Sequence, residues 1–403
     1  MDVFVARQPI FTRLQKVFGY ELLFRSSMDN FCSRDIERNL AAANVIVGAL
    51  VNFGLDTLSG GKRVFVNLTH DLLVSGAAAL LPREQTVIEV LEGIAPDQAV
   101  IDACRGLRKQ GYLLALDDFV EIEGNQPLVE IADFIKVDFL ATTPRQRREL
   151  GRALAAQGKK MLAEKVETPE QAAEALDSGY SYLQGYFFAR PAIARGRAIP
   201  GSRLRHLEMT KILREPELDF RAVEQIVKCD LSLSYKLLRF VNSAAHAWTD
   251  QIDSIRHALV LLGEDDVRRL LSLIALSGLV QDKPPELALA SVVRARFAES
   301  LAGQGSLSHR QLDLFLLGMF SLIDALLDLP LEEALSQIAL PADVKAALCG
   351  EPNPLRGILD LILAHERGDW NNVAIQASLN GIPLAMITAL YVASVKSAQA
   401  VFC

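Results

Sequence analysis

Cysteine is scarce and ungrouped in this sequence of 403 residues: Cys32, Cys104, Cys229, Cys349 and Cys403 form no CxxC pair and no metal-ligand spacing. An odd, dispersed set excludes a disulfide framework and a thiolate zinc site, and points to reduced, buried thiols in a cytosolic protein. Basic charge is also in short supply, with 42 Lys and Arg against 49 Asp and Glu and a net charge of −7. A dedicated nucleic-acid binder carries a basic face, so no nucleic-acid partner is expected. Long apolar runs are missing as well. The greasiest, around Leu312–Leu327, contains Asp313 and Asp324 and falls short of the roughly 20 residues of a membrane span. The N-terminus, MDVFVARQPIF, has no basic region followed by an apolar one, so no secretory leader is expected. A cytoplasmic location without a membrane segment follows as the expectation. Half of the residues are hydrophobic and 23% are charged, the balance of a globular chain, and the length suits two domains of about 200 residues each.

The two halves differ in pattern. Up to about residue 190, short β-rich apolar runs alternate with helical stretches. The strand candidates are Val3–Val5 leading into Arg7-Gln8-Pro9-Ile10, Val17–Phe24, Val64–Asn67, Val87–Val90, Leu113–Leu116, Phe134–Val137, Met161–Ala163 and Tyr182–Phe187. Helix-like segments lie between most of them: Asn39–Leu55, Ala99–Lys109, Pro144–Gln157 and Pro169–Ser178. Alternation of this kind predicts a parallel sheet, and eight units predict a TIM-type (β/α)8 barrel over residues 1–195, with an open three-layer sheet as the competing α/β fold. Only Thr12–Lys16 separates the first two strands, which suits an antiparallel hairpin, so one reversed strand is expected. The stretch Ala192–Ser202 reads as a linker. Beyond it, apolar residues recur at helical spacing and no segment alternates like a strand, so residues 196–403 are expected to form an all-α bundle.

The ends of the strands are polar. Glu21 lies in YELLFR, Asn67 ends VFVN, and Glu89 follows TVI with Glu92 three residues on. Asp117 and Asp118 end LLALDD, Lys136 and Asp138 lie in IKVD, Glu164 ends MLAE and Gln184 lies in YLQGY. Any one of these carboxylates reads equally well as a helix cap or a loop charge. Together they deliver carboxylates, an amide and an amine to the strand ends that converge at the mouth of a barrel. Carboxylates gathered there repel one another unless cations hold them, and an all-oxygen set suits Mg²⁺ or Mn²⁺.

These same segments resemble the motifs of the EAL family of cyclic di-GMP phosphodiesterases. Glu21-Leu22-Leu23-Phe24-Arg25 is similar to its ExLxR signature, with Leu22 where alanine is usual, and Gln8-Pro9-Ile10 is similar to its QPI. Val66-Asn67-Leu68, Glu89–Glu92, Leu116-Asp117-Asp118-Phe119, Ile135-Lys136-Val137-Asp138, Glu164-Lys165-Val166-Glu167-Thr168 and Gln184-Gly185-Tyr186 resemble its VNL, ExxE, LDDF, LKID, EGVET and QGY, in the family's order. The resemblance implies hydrolysis of cyclic di-GMP to linear pGpG by two metals. Glu21, Asn67, Glu89 and Asp117 would hold one, and Asp117 and Asp118 the other. Glu164 would be the base for the attacking water or a further ligand, and Lys136 would orient that water. Gln8, Arg25, Gln184 and Asp138 would line the ligand site, and Glu92 would anchor the loop after Phe119. Barrels of this family often pair near that loop, so a homodimer is one state the resemblance allows. Two departures stand out: the loop reads Val120-Glu121-Ile122-Glu123-Gly124-Asn125-Gln126-Pro127 where glycines are usual, and Lys165 replaces the glycine of EGVET. Both bear on turnover more than on ligand binding.

The helical half resembles the HDOD family in Pro216–Asp219, Ile226–Asp230, Ser234–Ala245, Ile252–Leu259 and Leu261-Leu262-Gly263. HDOD domains are similar to HD-type phosphohydrolases but lack their His-Asp metal pairs. Here none of His206, His246, His257, His309 or His365 precedes an Asp. The lone pair, His70-Asp71, reads as a helix N-terminus. Tyr235, Arg239, Asn242 and Arg256 read as packing and salt-bridge residues, and Arg268 and Arg269 as a solvated helix face. The half is expected to be a non-enzymatic module that meets an unidentified signalling protein. For the whole chain the leading expectation is a bacterial cyclic di-GMP phosphodiesterase. A silent cyclic di-GMP receptor or scaffold, or an unrelated TIM-barrel metal hydrolase, are the alternatives.

Overall fold

The computed structural model describes residues 4–25, 54–189, 218–220, 223–224, 255–279, 283–336, 338 and 340–402. It comprises two compact units, one of residues 1–190 with 360–403 and one of residues 191–359.

The first unit is built on a closed eight-stranded barrel. Its strands are β1 (Phe4–Thr12), β2 (Val17–Arg25), β3 (Arg63–Leu68), β4 (Thr86–Val90), β5 (Leu113–Leu116), β6 (Phe134–Asp138), β7 (Lys160–Glu164) and β8 (Tyr182–Gln184). β1 runs antiparallel to both β2 and β8, and every other pair is parallel. The reversed strand follows from the short link, which closes as a turn with Thr12 N–H donating to Lys16 O at 2.8 Å. Closure removes the exposed edges of an open sheet.

Inside the barrel one apolar layer holds Ile10, Phe65, Val87, Ala115, Phe134 and Leu162, with Phe18, Leu113 and Tyr182 against it. Side chains along a strand return to the same face every second residue. Two residues further along each parallel strand, the same inward face is therefore occupied by Asn67, Glu89, Asp117, Lys136, Glu164 and Gln184. On the reversed β1 the step runs backwards, from Ile10 to Gln8. The apolar layer is thus the floor of a polar mouth.

Helices return the chain between strands, and their starts are written locally. Asp97 caps Gln98–Lys109, and Thr143 and Thr168 close capping boxes with Gln146 and Gln171 around Pro144 and Pro169 at the helix entry. The Thr of the Val166-Glu167-Thr168 motif thus sets where the chain turns after β7. His70 opens the helix His70–Val74 behind the cap residue Thr69 and reaches Asp71 and Asp97 at 3.0 and 3.2 Å. Cys104 is buried, as expected for a thiol of this kind, and burial pushes it up to about 11, whereas Cys349 is exposed.

The chain divides after Arg190, near the expected boundary at residue 196, and residues 360–403 group with the barrel. The ring of Trp370 lies 5.7 Å from Phe4 of β1, and the ring of His365 meets Trp370 edge-on at 5.3 Å and lies tilted against Tyr391 at 4.5 Å. Burial holds His365 at about 3, neutral at physiological pH. Helical spacing shows that a face is apolar but not which body buries it.

In the second unit, Ile255–Leu279 is two helices broken at Gly263, followed by Pro285–Ala302 and Gln311–Phe320. Tyr235, Arg239, Asn242 and the side chain of Arg256 lie outside the described residues, as does most of the expected helix Asn39–Leu55. Arg268 and Arg269 are not a solvated face. Arg268 is buried and paired with Glu264, while Arg269 binds Asp266 and Glu299 at 2.8 and 2.6 Å. No single described helix is long and apolar enough to cross a membrane. The pair Trp370–Leu379 and Leu384–Ala400 has the composition but is bent by 106°.

Candidate active site

The polar layer converges on one ammonium. Lys136 Nζ lies 2.7 Å from Glu89 Oε1, Asp117 Oδ1 and Glu164 Oε1, and 3.3 Å from Glu21 Oε2. Lys136 and Glu89 are wholly buried. Burial works against the charge on Lys136, but the carboxylates around it overcome that and hold its pKa well above the ordinary lysine range. Burial raises Glu89 and Glu164 well above the usual carboxylate range. The neighbouring acids add to the rise, and Lys136 opposes it. One ammonium does not neutralise four carboxylates, so the mouth keeps a strong affinity for further positive charge.

Amides complete the ring. Asn67 Nδ2 donates to Glu21 Oε1 at 2.9 Å, while Gln184 Nε2 donates to Glu21 Oε2 at 2.6 Å and to Gln8 Oε1 at 3.1 Å. Gln8 Nε2 in turn donates to the carbonyl of Glu366 at 3.2 Å. Gly185, next to Gln184, has φ +139, and a Cβ there would lie 2.2 Å from Val166 O, so only glycine lets β8 approach the chain just after Glu164.

Four buried oxygens here, Asn67 Oδ1, Glu89 Oε2, Glu164 Oε2 and Gln184 Oε1, have neither a hydrogen-bond partner nor an ion pair. Orphaned acceptors of this kind are rare in folded proteins. A hard divalent cation satisfies such oxygens, so the residues fit Mg²⁺ or Mn²⁺. Carboxylate oxygens of Asp117, Asp118 and Glu164 also come within 4.8 Å of one another.

The remaining expected residues lie at the rim. Asp138 and Asp118 are bridged by Lys165, whose Nζ is 2.6 Å from Asp138 Oδ2 and 3.1 Å from Asp118 Oδ1. Burial disfavours the Asp138 charge, but Lys165 and the amides of Ala141 and Leu140 outweigh it and lower its pKa. Glu92 is exposed and lines a cleft of about 320 Å³ together with Asp117, Asp118, Val120, Glu121 and Asn125. Arg25 ends β2, and its side chain lies outside the described residues. Every other expected site residue is thus at the one opening. Two features escaped sequence reasoning. Lys165 was visible as a replaced glycine, but its partners were not, and nothing in the sequence signals that Glu366 meets Gln8.

Comparison with known proteins agrees with this architecture. A model of the EAL domain matches residues 2–191 and one of the HDOD domain matches residues 203–339. The protein CdgJ of Vibrio cholerae, named a cyclic di-GMP phosphodiesterase, is 37% identical over 372 residues, covering 92% of this chain and 86% of that protein. YuxH of Bacillus subtilis, uncharacterized, is 36% identical over 379 residues, 92% of each chain. Among solved structures, an EAL domain protein of Listeria monocytogenes covers 46% of this chain and 87% of its own, with 19% identity and a TM-score of 0.37. The manganese and cyclic di-GMP complex of Klebsiella pneumoniae BlrP1 covers 47% of this chain and 55% of its own, with 24% identity and a TM-score of 0.38.

Proposed function

The chain belongs to the EAL family and carries an HDOD domain later in its sequence, and from that membership we propose that it is a divalent-cation-dependent phosphodiesterase opening cyclic di-GMP to linear pGpG. The observation that carries this reading is the ring of Glu21, Asn67, Glu89, Asp117 and Glu164, with unsatisfied oxygens, around one barrel mouth. The name of CdgJ, matched over most of both chains, supports the same substrate.

Glu21, Asn67, Glu89 and Asp117 would hold Mg²⁺ or Mn²⁺, which when bound supplies a more acidic water and charge stabilisation for the phosphoryl oxygens. Glu164 Oε1 is held by Lys136, which leaves Oε2 to take the proton of the attacking water. The water oxygen bonds to phosphorus, the bond from phosphorus to one ribose oxygen breaks, that oxygen takes a proton from the surrounding water, and the ring opens to the linear dinucleotide. Gln8 and Gln184, already joined across β1 and β8, would position the ligand beside Glu21. The HDOD-matched segment would be the regulatory module that meets a signalling protein, and the chain would act in the bacterial cytosol.

Purified full-length protein with Mn²⁺ and cyclic di-GMP should yield pGpG on a chromatogram, and Glu21→Ala should abolish it. No product from the unaltered chain, alongside an active EAL control, would refute the reading. A second reading, a receptor that binds cyclic di-GMP without cleaving it, is favoured by the Lys165 bridge to Asp118. Calorimetric binding without product would identify it.

A further inference from the structure

The family resemblance implies a second cation at Asp118 and a glycine after Glu164. Here the residue after Glu164 is Lys165, and its ammonium is already on Asp118 Oδ1 at 3.1 Å. A second anchor fixes it, since the same Nζ lies 2.6 Å from Asp138 Oδ2, while Asp138 Oδ1 accepts from the amides of Leu140 and Ala141. The ammonium therefore has a built seat between two strand ends.

The backbone points the same way. Among the described residues four that are not glycine have positive φ: Gln15, Asp118, Lys165 and Asp328. Gln15 lies in the β1–β2 turn and Asp328 is a helix C-cap, where this conformation is common. Asp118 at φ 42 and Lys165 at φ 52 instead follow the ends of β5 and β7, the two strands that flank β6. Strained backbone persists where the surrounding structure fixes it, and it clusters at functional sites. In this barrel both strained residues belong to one ion pair.

The acceptors divide accordingly. The orphaned buried oxygens of the ring are on Asn67, Glu89, Glu164 and Gln184. The Asp118 carboxylate is less buried and has a cation of its own. An ammonium fixed about 3 Å from an oxygen repels a divalent ion seeking that same oxygen; Lys136 takes Glu89 Oε1 in this way but leaves the buried Glu89 Oε2 and Asn67 Oδ1 open to an ion.

We propose that the Lys165 ammonium takes the place of the second cation, so that this barrel holds a single divalent ion in the set Glu21, Asn67, Glu89 and Asp117. The proposal rests on the reading of the barrel as a cation-dependent phosphodiesterase. It makes Lys165 the residue that sets the metal count of the site.

The test is titration of the full-length chain with Mn²⁺, followed by calorimetry and by electron paramagnetic resonance. The unaltered protein should bind one Mn²⁺ with the spectrum of an isolated ion. Lys165→Gly should bind two, with the broadened signal of a spin-coupled pair. Lys165→Met, which keeps the length and the strained backbone but not the charge, should also bind two, and Lys165→Arg should bind one. Two coupled ions in the unaltered protein would overturn the proposal while leaving the phosphodiesterase reading intact. A single ion in both the Gly and the Met variants would also overturn it. No Mn²⁺ bound by any of them would overturn both.

Discussion

Lys136 Nζ lies 2.7 Å from Glu164 Oε1, and the lysine is wholly enclosed among the acids it holds. Removing the charge leaves buried carboxylates uncompensated, which costs about 3–5 kcal/mol when one partner of a buried pair is lost. Lys136→Met should therefore lower the stability of the metal-free protein by about that amount in urea denaturation. Mn²⁺ should recover part of the loss, because a ligand that binds only the folded state stabilises it. A loss that Mn²⁺ leaves untouched would contradict the placement of the cation among these acids.

Glu89 and Glu164 have folded pKa values raised well above the ordinary glutamate value of 4.5, chiefly by burial. The folded state then binds more protons than the unfolded one above that pH. Their contribution to stability is present below 4.5 and is lost as pH rises through the folded values. Asp138, with its lowered pKa, acts oppositely and contributes above 3.8. In chelator, melting temperature should fall with rising pH more steeply for the unaltered protein than for Glu164→Gln. Mn²⁺ should flatten the difference and release protons on binding, as calorimetry in buffers of different ionisation enthalpy would show.

Gly185 brings β8 against the chain that follows Glu164, with no room for a Cβ near Val166 O at 2.2 Å. Gly185→Ala should cost about 1–3 kcal/mol in thermal unfolding. Any folded fraction should turn over more slowly, since the shift falls two residues from Glu164. An unchanged melting temperature would show that the close approach is not real.

Gly368, at φ +69 beside Leu23 of β2, ties the C-terminal segment to the barrel. Gly368→Ala should destabilise by about 1–2 kcal/mol from the left-handed backbone, and Gly368→Asn should cost less because Asn tolerates that region. Equal effects of the two would remove the backbone as the cause.

The mouth was legible because strand periodicity is simple. Asn67, Glu89, Asp117, Lys136, Glu164 and Gln184 stand at or near strand ends, which a closed barrel brings to one mouth, and the two-residue step from the apolar layer then turns them inward. The short Thr12–Lys16 link gave the reversed β1, and with it Gln8. What sequence did not disclose are contacts between distant segments. Arg269 looked like a solvated residue because Glu299, on another helix, is invisible to local spacing. Likewise Trp370 could be assigned to an apolar face but not to Phe4 of the barrel. Lys165 was conspicuous by its type, while Asp138 as its partner depended on how β6 and β7 align.

The proposed chemistry requires a divalent cation seated among acids from separate strands. Crystals of the protein grown with Mn²⁺ and measured at the manganese absorption edge test this most directly. An anomalous peak within ligand distance of Glu89 Oε2 and Asn67 Oδ1 is the predicted result. A barrel mouth without any peak, in crystals where the protein is folded and Mn²⁺ is abundant, would contradict it.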